Sequence, residues 1–184
     1  IKKNINFLKK ALIISGNLAQ DHEFIYPFYR LLEDEFTVDV CMNEGTKVKG
    51  FLGTDLPPNK EHPVLKIEEI KTDDYNLLIL PGGVKAMEKV RQNKNIINFI
   101  SNFYNENKVI GCICSGAQLL ISAKIVKGKK ISGYYSMKDD IINAGAEYED
   151  LPAVIDQRII TTAHYKDLGP WMKAVLSEFY KHNS

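Results

Sequence analysis

Val109-Ile110-Gly111-Cys112-Ile113-Cys114-Ser115-Gly116-Ala117-Gln118-Leu119-Leu120 is the stretch on which the reading of this chain turns. The continuous apolar run Val109 to Cys112 is the pattern of a strand buried on both faces, and the residues after Gly116 suit a helix. Only a sharp turn fits between them. A strand-to-helix turn of this kind projects the side chain at its apex into a pocket, and small neighbours such as Ser115 and Gly116 relieve the crowding. The first amides of the following helix face the same pocket, where their partial positive charge favours a thiolate over a thiol. Cys114 is therefore the candidate nucleophile, whereas Cys41 and Cys112 lie inside apolar strands and read as packing cysteines.

Working outward, further apolar runs recur at Ala11 to Ile14, Thr37 to Met42 and Leu77 to Leu80. Between them, His22 to Glu33 after the possible cap Asp21, and Asn93 to Tyr104, place apolar residues at helical spacing. Continuous strands alternating with amphipathic helices predict an α/β fold: a flavodoxin-like three-layer sandwich with a mainly parallel central sheet. Gly45 to Pro63 reads as a hairpin or loop excursion. Val154 to Asp156 and Ile159 to Thr161, flanking Gln157-Arg158, predict a hairpin, and Asp167 to Tyr180 predicts a closing helix.

The chain has 184 residues, 45% of them hydrophobic, which suits one domain over 1–184. Lys and Arg number 24 against 23 Asp and Glu, so no overall field draws the chain to nucleic acid or anionic lipid. The basic start, Ile1 to Lys10, precedes an apolar run of only four residues, too short for a signal-peptide core or a membrane span. It reads as a buried first strand with Lys2-Lys3 and Lys9-Lys10 as solvated flanking charge. Three cysteines, without the spacing of a redox or zinc hairpin, point to a reducing cytoplasm, and no metal or other cofactor is expected.

A second chemical signal is Leu77-Leu78-Ile79-Leu80-Pro81-Gly82-Gly83, a strand ending in a permissive turn. The carboxyl ends of strands build the site in a doubly wound sheet, and a glycine pair there lets backbone amides approach a substrate and donate to a developing oxyanion.

These motifs carry a resemblance. With Asp21-His22-Glu23-Phe24-Ile25-Tyr26-Pro27 and Lys138-Asp139-Asp140-Ile141-Ile142-Asn143-Ala144-Gly145-Ala146, they make the chain similar, from about Ala11 to Tyr180, to the PfpI-type intracellular protease family. That family belongs with the parkinsonism-associated deglycase in the class I glutamine-amidotransferase-like superfamily. The resemblance implies that Glu23 is the acidic residue contacting the nucleophilic sulfur of Cys114, and that Gly83 and Ser115 supply the oxyanion-hole amides. It implies pocket-lining positions for Gly82, Tyr134, His164, Gln20 and Glu88. Glu88 matches a glutamate that reaches a neighbouring subunit's site in oligomeric relatives, so a homo-oligomer, dimer or higher, is implied. His164 is open to a second reading, as a cap for the last helix.

The chain departs from the family pattern at two positions. Peptidase-like members have His directly after the cysteine as general base, and here the residue is Ser115, which cannot accept a proton at neutral pH. Gln20 stands where close relatives often carry a glutamate. The expected activity is thiol addition to a small carbonyl electrophile or a glycated adduct, as in a glyoxalase or deglycase. The alternatives are a cysteine peptidase or amide hydrolase, and a redox-sensing, stress-protective protein whose cysteine is oxidised to a sulfinate.

Overall fold

The fold is described from a computed structural model, which covers residues 7–183. Lys2-Lys3 lie outside the described residues. The strands are β1 (Lys10–Ser15), β2 (Thr37–Met42), β3 (Val48–Lys49), β4 (Asp55–Leu56), β5 (Val64–Leu65), β6 (Leu77–Leu80), β7 (Val109–Ile113), β8 (Lys130–Ile131), β9 (Glu147–Tyr148), β10 (Val154–Asp156) and β11 (Ile159–Thr162). The α-helices are α1 (Asp21–Glu33), α2 (Val84–Val90), α3 (Lys94–Asn105), α4 (Ala117–Ser122), α5 (Lys138–Asn143) and α6 (Leu168–His182).

Seven strands form the central sheet in the order β10-β11-β7-β6-β1-β2-β5. All neighbours are parallel except the β10–β11 hairpin, in which Val154 faces Thr161. β1, β6 and β7 are almost wholly buried, because α1 and α6 pack on one face and α2, α3 and α4 on the other. This is the flavodoxin-like three-layer sandwich expected from unbroken apolar strands. The excursion after β2 contains the antiparallel β3–β4 hairpin.

The chain winds outward from β1 through β2 to β5, then crosses back to place β6 on the other side of β1. The crevice at such a switch point, outside the carboxyl ends of the strands, is where open α/β sheets bind ligands. Pro81-Gly82-Gly83 and Cys114 follow directly from β6 and β7 at that end.

Two local expectations are corrected. The cap of α1 is Gln20, whose side chain accepts from the Glu23 amide at 3.0 Å. Asp21 is instead buried, and its carboxylate accepts from Leu52 N and Thr54 N, two donors that the excursion would otherwise leave unpaired. Lys9 and Lys10 are paired as well as solvated: Lys9 lies 3.7 Å from Asp34 and Lys10 lies 3.6 Å from Asp39.

β7 carries the candidate nucleophile, and Gly111 sets how closely α6 packs on it. A Cβ at Gly111 would lie 2.9 Å from Val175 and 3.2 Å from Trp171. Gly111→Val should therefore overpack this interface and lower unfolding stability by about 1–3 kcal/mol, read from urea denaturation. Unchanged stability would mean that β7 and α6 have slack between them.

Candidate active site

Cys114 follows β7 with φ +58°, a left-handed conformation that a residue bearing a Cβ adopts only when its surroundings impose it. The constraint comes from close packing beneath the turn. A Cβ at Gly116 would lie 2.7 Å from Leu80 O and 3.1 Å from Pro81 O, so only glycine lets the turn pass under the neighbouring strand end. Tyr134 N donates to Cys114 O at 3.1 Å and holds the turn from its other side. This is the geometry of a nucleophile elbow.

Glu23 comes up from the first turn of α1 and is completely buried. Its Oε1 accepts from the Gly82 amide at 2.9 Å. Its Oε2, equally shielded from solvent, has no partner of ordinary hydrogen-bond geometry. The Cys114 sulfur reaches the carboxyl through a weaker hydrogen-bonding contact. A Cβ added at Gly82 would fall 2.5 Å from Glu23 Oε1 and 2.9 Å from Cys114 Cβ, which shows how tightly the pair closes over that glycine.

Burial raises the Glu23 pKa from 4.5 to about 7, against the opposing pull of the Gly82 amide and the Cys114 side chain. Burial, and then the Glu23 charge, push the Cys114 thiol up to about 12, against the Ser115 amide and hydroxyl. The lowered thiol pKa expected from a helix N-terminus is thus corrected: α4 is a single short helix of six residues and does not offset desolvation plus an adjacent acid. The two groups hold one proton between them in the range separating these values. Cys41 and Cys112 are buried, and their thiols are also raised by desolvation.

A cavity of about 350 Å³ opens onto the sulfur. Of the expected positions, Cys114, Glu23, Gly83, Ser115, Tyr134, His164 and Gln20 all line it. The Gly83 amide has no hydrogen-bond partner among the described residues, while the Ser115 amide bonds to the Cys114 sulfur. His164 lines the cavity, and its Nδ1 accepts from Lys166 N at 3.0 Å, but its reading as a cap for the last helix is corrected: it caps the short 3-10 turn Tyr165–Asp167, and the cap position of α6 is Asp167.

Gly82 and Glu88 do not line this cavity within the single chain. Gly82 lies behind the wall with its amide committed to Glu23. Glu88 follows Val84 by one helical turn of α2 and faces a neighbouring cavity, beside Arg91 and Gln118, which meets the Cys114 cavity only at Val84. Sequence reasoning missed Leu18, Phe51, Val84, Lys85 and Tyr165 on the wall. The one available signal was Phe51-Leu52, an apolar pair between two glycines in an otherwise polar excursion. Among the described residues, no group of three His, Cys, Asp or Glu side chains is placed to hold a metal ion, and no helix is long and apolar enough to cross a membrane.

The sequence pattern of the DJ-1/PfpI family matches residues 9–178. The chain belongs to the DJ-1/PfpI family. It is 35% identical over 164 residues to the deglycase PfpI of Pyrococcus furiosus, covering 89% of this chain and 95% of that one. It is 31% identical over 161 residues to general stress protein 18 of Bacillus subtilis, covering 86% and 90%. The fold superposes on Drosophila melanogaster DJ-1beta with a TM-score of 0.84 at 22% identity, over 96% of this chain and 94% of that one. Membership in DJ-1/PfpI carries a hydrolase-like enzymatic role at the level of the family.

Because the folded state keeps the Glu23 proton up to about 7 and the unfolded chain releases it near 4.5, the folded state binds more protons in that window. Stability should therefore fall as pH rises from about 4.5 to 7, with a Glu23 contribution on the order of 3 kcal/mol. Glu23→Gln should flatten this part of the profile in urea titrations at successive pH values. An unaltered slope would remove Glu23 as its source.

Proposed function

We propose that the protein is a cysteine-dependent enzyme acting on small carbonyl electrophiles or their glycated adducts, with Cys114 as nucleophile and Glu23 as the acid–base partner. The observation that carries this reading is the pairing of a buried, under-bonded carboxyl oxygen with the only cysteine that opens onto the cavity. Above about pH 7 Glu23 is ionised while the thiol keeps its proton. As the sulfur adds to an aldehyde carbon, the thiol proton passes to Glu23, and the carbonyl electron pair moves onto oxygen within reach of the Gly83 and Ser115 amides. Glu23 returns that proton to the oxygen, which gives a neutral hemithioacetal.

For an α-oxoaldehyde, Glu23 then carries the former aldehyde hydrogen, as a proton, to the adjacent carbonyl carbon, while the hemithioacetal hydroxyl proton passes to that carbonyl's oxygen, leaving a 2-hydroxy thioester. Water hydrolyses the thioester and restores the thiol, so the net reaction is addition of water to give a 2-hydroxy acid, with no external oxidant or reductant. On a glycated amine the sulfur displaces the amine, which leaves with the proton held by Glu23.

His164 does not replace the imidazole that peptidase-like members carry after the cysteine. Its Nδ1 already accepts a backbone N–H, so that nitrogen is not available to take the thiol proton. This favours carbonyl chemistry over amide cleavage.

Turnover of methylglyoxal to lactate tests the proposal. The wild type should be active, with kcat/KM rising through pH about 7 as Glu23 becomes a base, and Cys114→Ser and Glu23→Ala should each lose at least about 100-fold. Full activity in Cys114→Ser would refute it. No turnover together with a stable Cys114 sulfinate after mild peroxide would move the site to the sensor reading.

A further inference from the structure

The tip of the β3–β4 hairpin is held to the catalytic crevice by two backbone bonds and a buried carboxylate. Leu18 N donates to Lys49 O at 2.8 Å and Phe51 N to Ala19 O at 2.8 Å. The turn closes on itself through Gly50 N to Thr54 O at 2.8 Å and Gly53 N to Gly50 O at 2.9 Å. The buried Asp21 carboxylate accepts from Leu52 N at 2.8 Å and Thr54 N at 3.1 Å. A Cβ at Gly50 would fall 2.1 Å from Asp21 Oδ1, so the fit leaves no space between carboxylate and turn.

The element fixed in this way carries Phe51 at the cavity mouth with its side chain unpacked and the residue 68% exposed. Core packing does not account for such a ring. Leu18, Val84, Tyr134 and Tyr165 add apolar surface to the wall of the same cavity. A three-carbon dicarbonyl would fill a small part of the 350 Å³ available and would leave this wall wet.

We propose that Phe51, held in place by Asp21, is a specificity residue that binds an aromatic or bulky alkyl substituent next to the reacting carbon, so that the preferred substrates are aryl or branched-alkyl carbonyl compounds. This rests on the reading of Cys114 as the nucleophile. Asp21 acts through Phe51 and is a positioning residue.

The test compares rates of Cys114 labelling by N-benzyl iodoacetamide and by iodoacetamide, each divided by its rate with glutathione and located by mass spectrometry. Unfolded chain labels with a ratio near unity, so each variant is first shown by circular dichroism and urea denaturation to be folded under the labelling conditions. The wild type should favour the benzyl reagent by about tenfold, the scale of burying an aromatic ring. Phe51→Ala should reduce the preference to near unity, and Phe51→Tyr should retain it. Asp21→Asn turns one acceptor toward an amide donor and should lower the preference at least threefold, roughly.

A benzyl preference without any turnover of oxoaldehydes would refute the enzymatic reading and leave the apolar wall standing. A wild-type ratio near unity, a ratio unmoved by Phe51→Ala, or failure of both reagents to label Cys114 would overturn the inference.

Discussion

A fully buried carboxyl group and a thiol at the wall of an open cavity, sharing one proton, are the constraint around which this site is arranged. Glu23 is fully buried, with one oxygen bonded to the Gly82 amide, the other without a well-formed bond of its own, and the Cys114 thiol beside the carboxyl. Burial alone would keep both groups neutral. The Gly82 amide lowers the cost of charging the carboxyl, and the Ser115 amide lowers the cost of charging the sulfur, so a single negative charge can pass between two prepared acceptors. That arrangement suits a reaction in which the thiol must lose its proton only as the carbon–sulfur bond forms.

The backbone around the pair follows from the same requirement. Cys114 takes a left-handed conformation, and Gly82 and Gly116 stand where a Cβ would collide with Glu23, the Cys114 side chain or the carbonyls of Leu80 and Pro81. Three chain segments, from β6, β7 and the start of α1, thus meet with almost no free volume at the catalytic end. The free volume is the adjoining cavity, which Phe51 of the hairpin tip lines together with Tyr134 and Tyr165. Chemistry and recognition are therefore borne by different elements: the sheet ends hold the reacting groups, and the excursion after β2 shapes what approaches them.

Much of this was legible in the sequence where local pattern and fold agree. The unbroken runs Leu77 to Leu80 and Val109 to Cys112 suit buried parallel strands, and the small residues after Cys114 marked the elbow. Glu23, by contrast, looks like any helix-start glutamate, and only the family resemblance singled it out. The Cys114 pKa was misjudged because the helix N-terminus is visible in sequence, whereas the depth of burial is a property of the assembled layers. Asp21 was misread as a helix cap for a related reason: its partners, Leu52 and Thr54, are some thirty residues away and come near only once the excursion folds back. Phe51 could not be placed at the mouth without that same clamp.

The shared proton can be observed directly by following the Glu23 side-chain carboxyl carbon through a pH titration by NMR in the wild-type protein. The account predicts a midpoint near 7, well separated from the exposed glutamates, and a response to the same titration at the Cys114 β-carbon. A Glu23 midpoint near its ordinary value of 4.5, with Cys114 silent through that range, would contradict it.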